Sequence, residues 1–560
     1  MLVWAASAGV AVAAPLSHND PTQALPPPPP APAPGLGLPA APIPLARQDK
    51  SVRLILAGVK FNGAVAVPEA RLQPAWADLR GKSVSLADLR AIGRRAEAIY
   101  AGAGYPFVAV VLGVQEVRNG IVNYDVVEGR ISDLTVLGSN LAARRQATAA
   151  FQPIVNRSPL PLSDVETAYQ LAKLVPGLSI SGTLRRGSQP GGMDLVIDAQ
   201  RPIEWRTYVN VNNLYADPVG PWGVLFGADY FGPTKYGDEA SAQVYTSAPV
   251  GRQVLVRASY MQRLNASGTA VTVSGLWGNA NPKGSLSPLA IAEDVTTLRA
   301  EVSQPLLERP NSDLLADLGL EGTNQVTKVF TNIGLSDDDL RVLDFTFSGE
   351  HRHALGRLAF SAEVRRGVDI AGASRPGERN LSRFGGDPQA TVLRFNAEVE
   401  TATFKHLRLV ARLNSQYSGQ RLTEPDEYSV GNLTIGRGYQ PGAALGDNAL
   451  GGSAELRVGP FGVAKNLHAE PFAFYDVVSL WNDGPPPVLP YAHRTLSSVG
   501  GGVRFQFEGK AHMDLLCAIP LVSPVGLGEP RPSPTVLVNL TIGLNDAFAA
   551  IHQRLAGNSK

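Results

Sequence analysis

The sequence predicts a membrane all-β protein: a transmembrane β-barrel that is preceded by two small α+β domains. The last ~355 residues consist of segments of about ten residues in which apolar and polar side chains alternate, which is typical of half-buried strands. No internal apolar run reaches the ~18 residues that a membrane-spanning helix needs. Between residues 51 and 203, an order of strand, helix and hairpin occurs twice, about 75 residues apart.

The composition and motifs exclude several classes of function. Fifty basic residues against 49 acidic residues leave no electrostatic footprint for nucleic acid. Cys517 is the single cysteine, which excludes a disulfide framework, a Cys-based zinc site and a dithiol redox pair. The sequence contains no nucleophile elbow, P-loop or H-E-x-x-H motif, and His351 and His353 are more simply explained as solvated side chains than as metal ligands. We therefore predict that the protein is not an enzyme and binds neither a cofactor nor a metal.

Two segments precede the predicted domains. Residues 1–16 are almost wholly apolar and end in small residues before a proline, which is typical of a secretory signal peptide. A buried N-terminal helix is the alternative. Residues 17–50 are rich in proline, with the run PPPPPAPAPG at 26–35, and are predicted to form an extended linker.

The first predicted domain covers residues 51–130. A short strand opens it, and Ser85 with Asp88 forms a capping-box-like start to a helix that glycines end. Two β-rich runs follow, joined through Asn119 and Gly120. Asn-Gly between such runs is the strongest short hairpin signal, so we predict a hairpin here.

The second predicted domain covers residues 131–203 and repeats this order. It opens with the strand ISDLTVLG, after which Ser163 and Glu166 suggest another capping box. Pro176 ends the predicted helix. Two further strands are joined across a glycine-rich turn at 187–192, which predicts a second hairpin.

The third predicted domain, at residues 204–548, is the barrel. In LRLVARLNSQY at 407–417, for example, apolar side chains fall on one face, and arginine, asparagine and glutamine fall on the other. About sixteen such segments, at ~22 residues per strand and turn, suit a transmembrane barrel whose polar face lines a water-filled lumen. A soluble stack of β-sheets is the alternative. Residues 549–560 follow as a C-terminal tail.

The barrel region contains a candidate functional loop. Residues 418–448 form a connection far longer than a hairpin requires, and such loops are usually functional or disordered. Within it, Arg437 stands between Gly436 and Gly438, which let the backbone turn while the side chain reaches a partner. Asp476, near the end of an alternating strand, offers a carboxylate that faces the lumen. We predict that these two side chains pair; a solvated Arg437 is the alternative.

The order of these parts resembles the outer-membrane transporters of two-partner secretion, the family of haemolysin-activator and filamentous-haemagglutinin transporters. The resemblance covers about residues 50–548 and is most specific in the first domain. There, Gly104, Tyr105 and the Val-Glu-Gly at 127–129 are similar to the first polypeptide-transport-associated (POTRA) domain of the family. The segment VPGL at 175–178 resembles the start of the hairpin in the second POTRA domain.

In the barrel, the resemblance concerns two motifs. Arg437, Gly438 and Tyr439 match the R-G-Y/F motif at the tip of the family's long sixth loop, and Phe474 with Asp476 matches its F-x-D motif on a wall strand. The resemblance implies that the two motifs pair and hold the loop inside the lumen.

The chain also departs from the family pattern in three places. Val478 stands where the family usually has a glycine, two residues after the F-x-D motif. Only residues 15–25 are available for the helix that plugs the barrel in some members. Twelve residues follow Phe548, whereas family barrels tend to end on an aromatic residue.

The resemblance also implies a function and a location. The protein is expected to be a monomeric, sixteen-stranded barrel in outer-membrane lipid, inserted by the barrel assembly machinery, with its POTRA domains in the periplasm. Its expected partner is a large secreted β-helical exoprotein, captured unfolded by the POTRA domains, for which β-augmentation at a hairpin edge is a plausible mode. The alternatives are an outer-membrane protein assembly factor of the same superfamily and a passive porin.

Overall fold

The computed structural model describes residues 36–37, 53–201, 203–330, 332–483, 492–507, 510–524 and 530–545. The predicted signal peptide, plug-helix segment and C-terminal tail lie outside these residues, as does most of the linker. The linker contributes one short described strand, β1 (Leu36–Gly37). In the part of the chain that is described, no helix is long and apolar enough to cross a membrane.

The first domain is a three-stranded sheet covered by a long helix. Its elements are β2 (Arg53–Ile55), β3 (Gly58–Asn62), α1 (Glu69–Leu72), β4 (Ser83–Ser85), α2 (Leu86–Gly102), β5 (Ala109–Val111) and β6 (Ile121–Val127). The central β6 runs parallel to β3 and antiparallel to β5. The predicted capping box is confirmed, since Ser85 Oγ accepts a bond from Asp88 N–H and Asp88 Oδ2 accepts one from Ser85 N–H. The hairpin turn is also confirmed, because Asn119 and Gly120 both have positive φ, at 55° and 69°.

The second domain repeats this topology, again with two helices, of which the first is longer than α1. Its elements are β7 (Arg130–Leu137), α3 (Leu141–Phe151), α4 (Leu162–Lys173), β8 (Ser179–Arg186) and β9 (Gly192–Gln200). The central β9 runs parallel to β7 and antiparallel to β8, as in the first domain. On the outer side of β8, β1 adds a parallel strand. The duplication read from the sequence is therefore present at the level of topology.

Two details of the second domain differ from the prediction. The capping box of Ser163 and Glu166 is wrong, because the N-cap of α4 is Pro161, two residues before Ser163, and no side chain caps the helix. Ser163 therefore lies within the first turn rather than before it. Helix α3 was not predicted from the sequence. Its start is capped by Asn140, the side chain of which accepts a hydrogen bond from Ala143 N–H at 3.0 Å.

The two domains are packed against each other. Phe107 of the first domain is buried within the core of the second. Gly104 O accepts a hydrogen bond from Leu162 N–H, and Gly129 O accepts one from Leu160 N–H, both at 3.0 Å. These contacts join the end of α2 and the hairpin of one domain to the start of α4 in the other.

The rest of the described chain is a closed antiparallel barrel. Its strands are β10 (Trp205–Asn212), β11 (Trp222–Gly232), β12 (Asp238–Ala248), β13 (Gln253–Arg263), β14 (Ala270–Ala280), β15 (Ala292–Arg309), β16 (Ser312–Val329), β17 (Ile333–His353), β18 (Gly356–Gly367), β19 (Thr391–Thr401), β20 (Leu407–Tyr417), β23 (Asn448–Val458), β24 (Phe461–Ala464), β25 (Leu467–Trp481), β26 (His493–Phe507), β27 (Ala511–Pro520) and β28 (Thr535–Gly543); β21 (Tyr428–Val430) and β22 (Ala444–Gly446) lie in a loop. Because β23 and β24 both pair with β25, they form one interrupted strand, and the predicted sixteen-stranded barrel is confirmed.

The barrel closes by pairing β10 with β28, from Tyr208 opposite Gly543 to Asn212 opposite Asn539. Its two faces have opposite chemistry. On β19, the apolar Leu393 and Phe395 are 44% and 40% exposed on the outside. On the other face of the same strand, Glu398 pairs with arginines of neighbouring strands. An apolar exterior with charges inside is the arrangement that lipid outside and water inside require.

Candidate functional site

The candidate site is built on the loop between β20 and β23, at residues 418–447. Within it, β21 and β22 pair to form a narrow ribbon whose tip carries Arg437. Gly436 and Gly438 have φ of 118° and 93°, a backbone conformation that side chains rarely adopt. A Cβ atom on Gly438 would lie 3.0 Å from the Cβ atom of Ala518 on the barrel wall. The two glycines therefore allow the turn, and Gly438 also allows the tip to approach the wall closely.

The structure brings Arg437 and Asp476 together. Arg437 Nε lies 2.9 Å from Asp476 Oδ2 and Nη2 lies 2.7 Å from Oδ1, a bidentate pair, and the Arg437 backbone N–H also donates to Oδ2 at 3.0 Å. The guanidinium carbon lies 3.6 Å from the ring centroid of Phe474, which faces the lumen two residues before Asp476. The tip arginine is thus held by one carboxylate and one aromatic ring of β25.

A second carboxylate, which the sequence analysis missed, completes the site. Glu455 on β23 is fully buried and binds Arg437 Nη1 at 2.7 Å, Arg457 Nε at 2.7 Å and Arg504 Nη1 at 2.6 Å. Ser453 Oγ, on the same strand, lies 2.9 Å from Arg437 Nη2 and donates to Asp476 at 2.7 Å. Because many lumen-facing positions carry Arg or Glu, no local pattern distinguishes Glu455; its position opposite Phe474 in the sheet register is the only signal.

Beside the tip, Tyr439 and a buried apolar cluster also hold the loop against the barrel wall. Tyr439 is buried, and its hydroxyl lies 2.9 Å from Ser497 O and 2.8 Å from Val522 O. Tyr439, Ile435 and Val478 belong to one buried cluster that joins the loop to the wall. Val478, at the position where a glycine was expected, is 1% exposed and fills this cluster with a side chain.

The base of the loop is held by a different arginine. Arg383, in the neighbouring loop at residues 368–390, forms a bidentate pair with Asp447. It also lies 2.9 Å from Glu427 and donates to Asn482 at 3.2 Å. Asp447 is fully buried and Glu427 is 6% exposed. The long loop is therefore fastened at its tip to the wall and at its base to another loop.

Charged pairs also line the wall away from the loop. Arg299 binds Asp344 at 2.7 Å, and Arg412 binds Glu398 at 2.7 Å. Nearly matched arginines and carboxylates give the lumen a polar surface. No group of three or more His, Cys, Asp or Glu side chains that could hold a metal ion occurs among the described residues.

Comparison with known proteins places this arrangement in a family. Residues 54–129 match the model of the ShlB-type POTRA domain, and residues 296–505 match the model described as haemolysin secretion/activation protein ShlB/FhaC/HecB. The chain belongs to the ShlB/FhaC/HecB family. Arg437, Asp476 and Glu455 all lie within the second matched segment.

Two curated relatives of this chain are distant in sequence. The heme/hemopexin transporter protein HuxB of Haemophilus influenzae is 21% identical over 369 residues, which are 66% of this chain and 65% of that protein. The chain thus spans just under two thirds of HuxB. The outer membrane transporter CdiB-2 of Burkholderia pseudomallei is 22% identical over 520 residues, which are 85% of this chain and 82% of that protein.

Among the solved structures that share the fold of this chain are two of CdiB proteins. CdiB from Escherichia coli has a TM-score of 0.73 at 17% identity and covers 90% of this chain and 92% of its own. CdiB from Acinetobacter baumannii has a TM-score of 0.63 at 13% identity and covers 89% of this chain and 91% of its own.

The predicted residues of the first domain lie within the matched POTRA segment, and no described contact joins them to the loop tip. Gly104, with φ of 91°, ends α2, and Tyr105 N–H donates to Tyr100 O at 2.9 Å. Glu128 accepts hydrogen bonds from Val65 N–H at 2.8 Å and from the Tyr100 hydroxyl at 3.0 Å. These contacts shape the domain itself.

Proposed function

We propose that the protein is an outer-membrane channel that translocates an unfolded partner exoprotein to the cell surface. The observation that carries this proposal is the loop tip fastened inside a barrel with a charged lumen, next to two packed α+β domains. A loop held by Arg437 can close the lumen, and its release can open a passage whose polar wall offers little for an unfolded chain to adhere to.

In this proposal, residues 51–130 and 131–203 act as two POTRA domains in the periplasm. Each ends in a hairpin: in the first domain its β5 strand lies at the sheet edge, and in the second its β8 strand is bordered by the two-residue β1. Such an edge offers backbone groups to an extended chain, and β1 already pairs with β8 in this way. An unfolded exoprotein is therefore proposed to be captured by β-augmentation and then passed to the lumen.

The direction of transport follows from folding. No nucleotide is available on the periplasmic side of an outer membrane to drive export. The direction is instead set outside the cell, because an exoprotein that has folded into a β-helix there cannot pass back through the pore. The protein itself contributes capture, a conduit and a releasable closure, and needs no cofactor for these steps.

The direct test concerns the tip of the loop. Arg437→Ala and Asp476→Ala should each abolish secretion of the partner, encoded by a neighbouring gene for a large repetitive protein, while the barrel still inserts. Secretion is measured in the culture medium, and insertion by heat-modifiable migration of the outer-membrane fraction. Arg357→Ala is the matched control, because Arg357 pairs with Glu350 on the wall and lies outside the loop contacts. Unchanged partner levels in both tip variants would refute the proposal.

A second test separates the channel from its alternatives. Deletion of residues 51–203 should leave ion conductance but stop export, since capture precedes translocation. A passive porin would lose nothing by this deletion. If the deletion instead depletes other barrels from the outer membrane while export continues, the protein is an assembly factor.

A further inference from the structure

The second domain is fixed to the rim of the barrel by specific hydrogen bonds. The rim turns concerned are residues 233–237, between β11 and β12, and residues 264–269, between β13 and β14. Gln146 of α3 is 1% exposed and donates to Gly232 O at 3.2 Å and to Thr234 O at 2.9 Å. Arg263, at the end of β13, donates to Leu174 O at 2.9 Å. The space between this domain and the rim is therefore shaped by a defined joint.

Beside this joint lies a cavity of about 890 Å³. It is bounded by α3, β7 and the two rim turns, and its volume falls in the range of ~300–1,000 Å³ that is usual for a ligand site. One wall is apolar and includes Leu134, Val136, Leu141 and Tyr236.

The charged side chains that line the cavity are all basic. They are Arg144 and Arg145 of α3 and Lys235 of the first rim turn, and the described lining includes no carboxylate. All three residues are exposed. Elsewhere in the molecule, arginines of the lumen are paired with carboxylates, whereas no ion pair of these three is seen among the described residues. Lys235 Nζ lies 4.9 Å from the ring centroid of Tyr236, a contact that leaves its charge without a paired carboxylate. A cavity with one apolar wall and three cations that have no carboxylate partner is suited to an amphipathic anion.

Aromatic residues next to the rim turns indicate where the cavity lies relative to the membrane. Trp205 and Tyr230 are paired across β10 and β11, with ring centroids 4.7 Å apart, and Trp205 is 56% exposed on the outside of the barrel. Tyr260, near the end of β13, is 44% exposed. Trp and Tyr concentrate at the level of lipid headgroups. The rim turns immediately follow these strand ends, so the cavity opens at the headgroup level.

We propose that this cavity binds an anionic phospholipid of the periplasmic leaflet. Its phosphate lies among Arg144, Arg145 and Lys235, and its glycerol and first acyl methylenes contact the wall formed by Leu134 and Val136. The proposal rests on the outer-membrane location in the proposed function. Bound lipid then ties the second domain to the membrane beside the barrel, in addition to the Gln146 and Arg263 contacts.

The test measures lipid binding by the purified full-length protein. Native mass spectrometry follows retention of dioleoylphosphatidylglycerol and of neutral dioleoylphosphatidylcholine. The triple variant Arg144→Gln/Arg145→Gln/Lys235→Gln should bind phosphatidylglycerol about a hundredfold more weakly, the size expected when three basic contacts to an anionic lipid are removed. Thr148→Trp, which fills the cavity from α3 without changing charge, should also reduce binding by at least about tenfold.

The matched control is Arg185→Gln/Arg186→Gln/Lys82→Gln. It removes three exposed basic residues that do not line the cavity, two from the second domain and one from the first. Its lipid binding should stay within about twofold of wild type. Unchanged phosphatidylglycerol binding in both cavity variants overturns the proposal. Equal retention of the neutral lipid by the wild-type protein also overturns it, as does displacement of bound phosphatidylglycerol by millimolar inorganic phosphate. If the cavity variants lose partner secretion while their lipid binding stays intact, the occupant is a polypeptide and the proposal is wrong.

Failure of the proposed function gives a different result. If the protein inserts into outer membranes but exports no partner, lipid binding by the purified protein still tests the cavity. If the protein does not insert, as judged by heat-modifiable migration, the proposed outer-membrane location is wrong, and the lipid proposal, which rests on that location, is wrong with it.

Discussion

The tip and the base of the loop at residues 418–447 are both fastened by a buried arginine, but the two contacts respond differently to its removal. At the tip, Glu455 keeps Arg457 and Arg504 when Arg437 leaves, and Asp476 keeps the Ser453 hydroxyl. At the base, Arg383 provides the one cation in salt-bridge contact with Glu427 and Asp447 among the described residues.

This difference separates a contact that can open from one that holds. Removal of one partner from a buried ion pair is costly because the remaining charge has lost its solvent. The wall around the tip arginine limits that cost with two further arginines, whereas at the base Asp447 keeps the backbone N–H groups of Leu422 and Asp483 but no second described cation in salt-bridge contact. The tip is therefore suited to release during transport, and the base to keeping the released loop attached.

The largest expected effect is at the base. Arg383→Gln should destabilise the folded barrel by about 3–5 kcal/mol, because it leaves Asp447 buried without its cation and removes the guanidinium that also contacts Glu427 and Asn482. The measurement is the midpoint of heat-modifiable migration. Arg375→Gln is the control from the same loop; its pair with Asp369 is largely exposed, so its effect should stay within about 0.5 kcal/mol. Equal midpoints for the two variants would contradict the role given to the base.

The next effect sharpens the account of the tip. Glu455→Gln should cost about 2–4 kcal/mol, since it leaves three guanidinium groups around a neutral amide, and Arg437→Ala should cost less. A double-mutant cycle between Glu455 and Arg437 in the same melting assay measures their coupling. Glu350→Gln, which affects a less buried wall carboxylate, is the control. If Glu455→Gln proves no more harmful than Glu350→Gln, Glu455 is not the centre of the tip site.

A smaller effect is expected from the apolar support of the tip. Val478→Ala removes two methyl groups from the cluster that holds Ile435 and Tyr439, which should weaken docking of the loop by about 1–2 kcal/mol. Single-channel recordings should then show more frequent opening. Val477→Ala changes the neighbouring residue on the opposite face of β25 and should leave the openings unchanged. More openings in Val477→Ala than in Val478→Ala would contradict this.

The sequence predicted the elements whose signals are local. Ser85 with Asp88, and Asn119 with Gly120, determine a helix start and a turn within four residues, and the alternation of the last strands follows from which side meets lipid. Arg437 could be singled out because glycines flank it, and its partner followed from a family motif.

The parts that were missed depend on distant contacts. Ser163 has the residues of a cap, but the backbone set by Pro161 starts α4 before it. Glu455 looks like any other charge on the lumen face, and only the register of β23 against β25 places it beside Arg437. Arg383 and Asp447 are joined although 64 residues separate them, and neither belongs to a recognisable pattern. Tertiary geometry, rather than residue type, selects these side chains.

The smallest expected effect is a pH dependence of loop docking, which acts near the base. Burial raises the pKa of Glu424 to about 8, and the nearby Glu293 and Asp338 act in the same direction, against Arg383. We expect release of the tip to expose Glu424 to the water of the lumen while the Arg383 contacts stay formed, so the proton that the docked loop holds is then given up at the ordinary pKa of about 4.5. A group whose pKa is raised by docking stabilises the docked state fully below the lower pKa, and that contribution is lost as pH rises through the higher one. From pH 7 to 9, docking should weaken by about tenfold at most, seen as more frequent channel openings. Burial also raises the pKa of Glu427 to about 8, but Glu427 stays with Arg383 when the tip is released, so Glu424→Gln should flatten this dependence. An unchanged slope in that variant would assign the titration to another group.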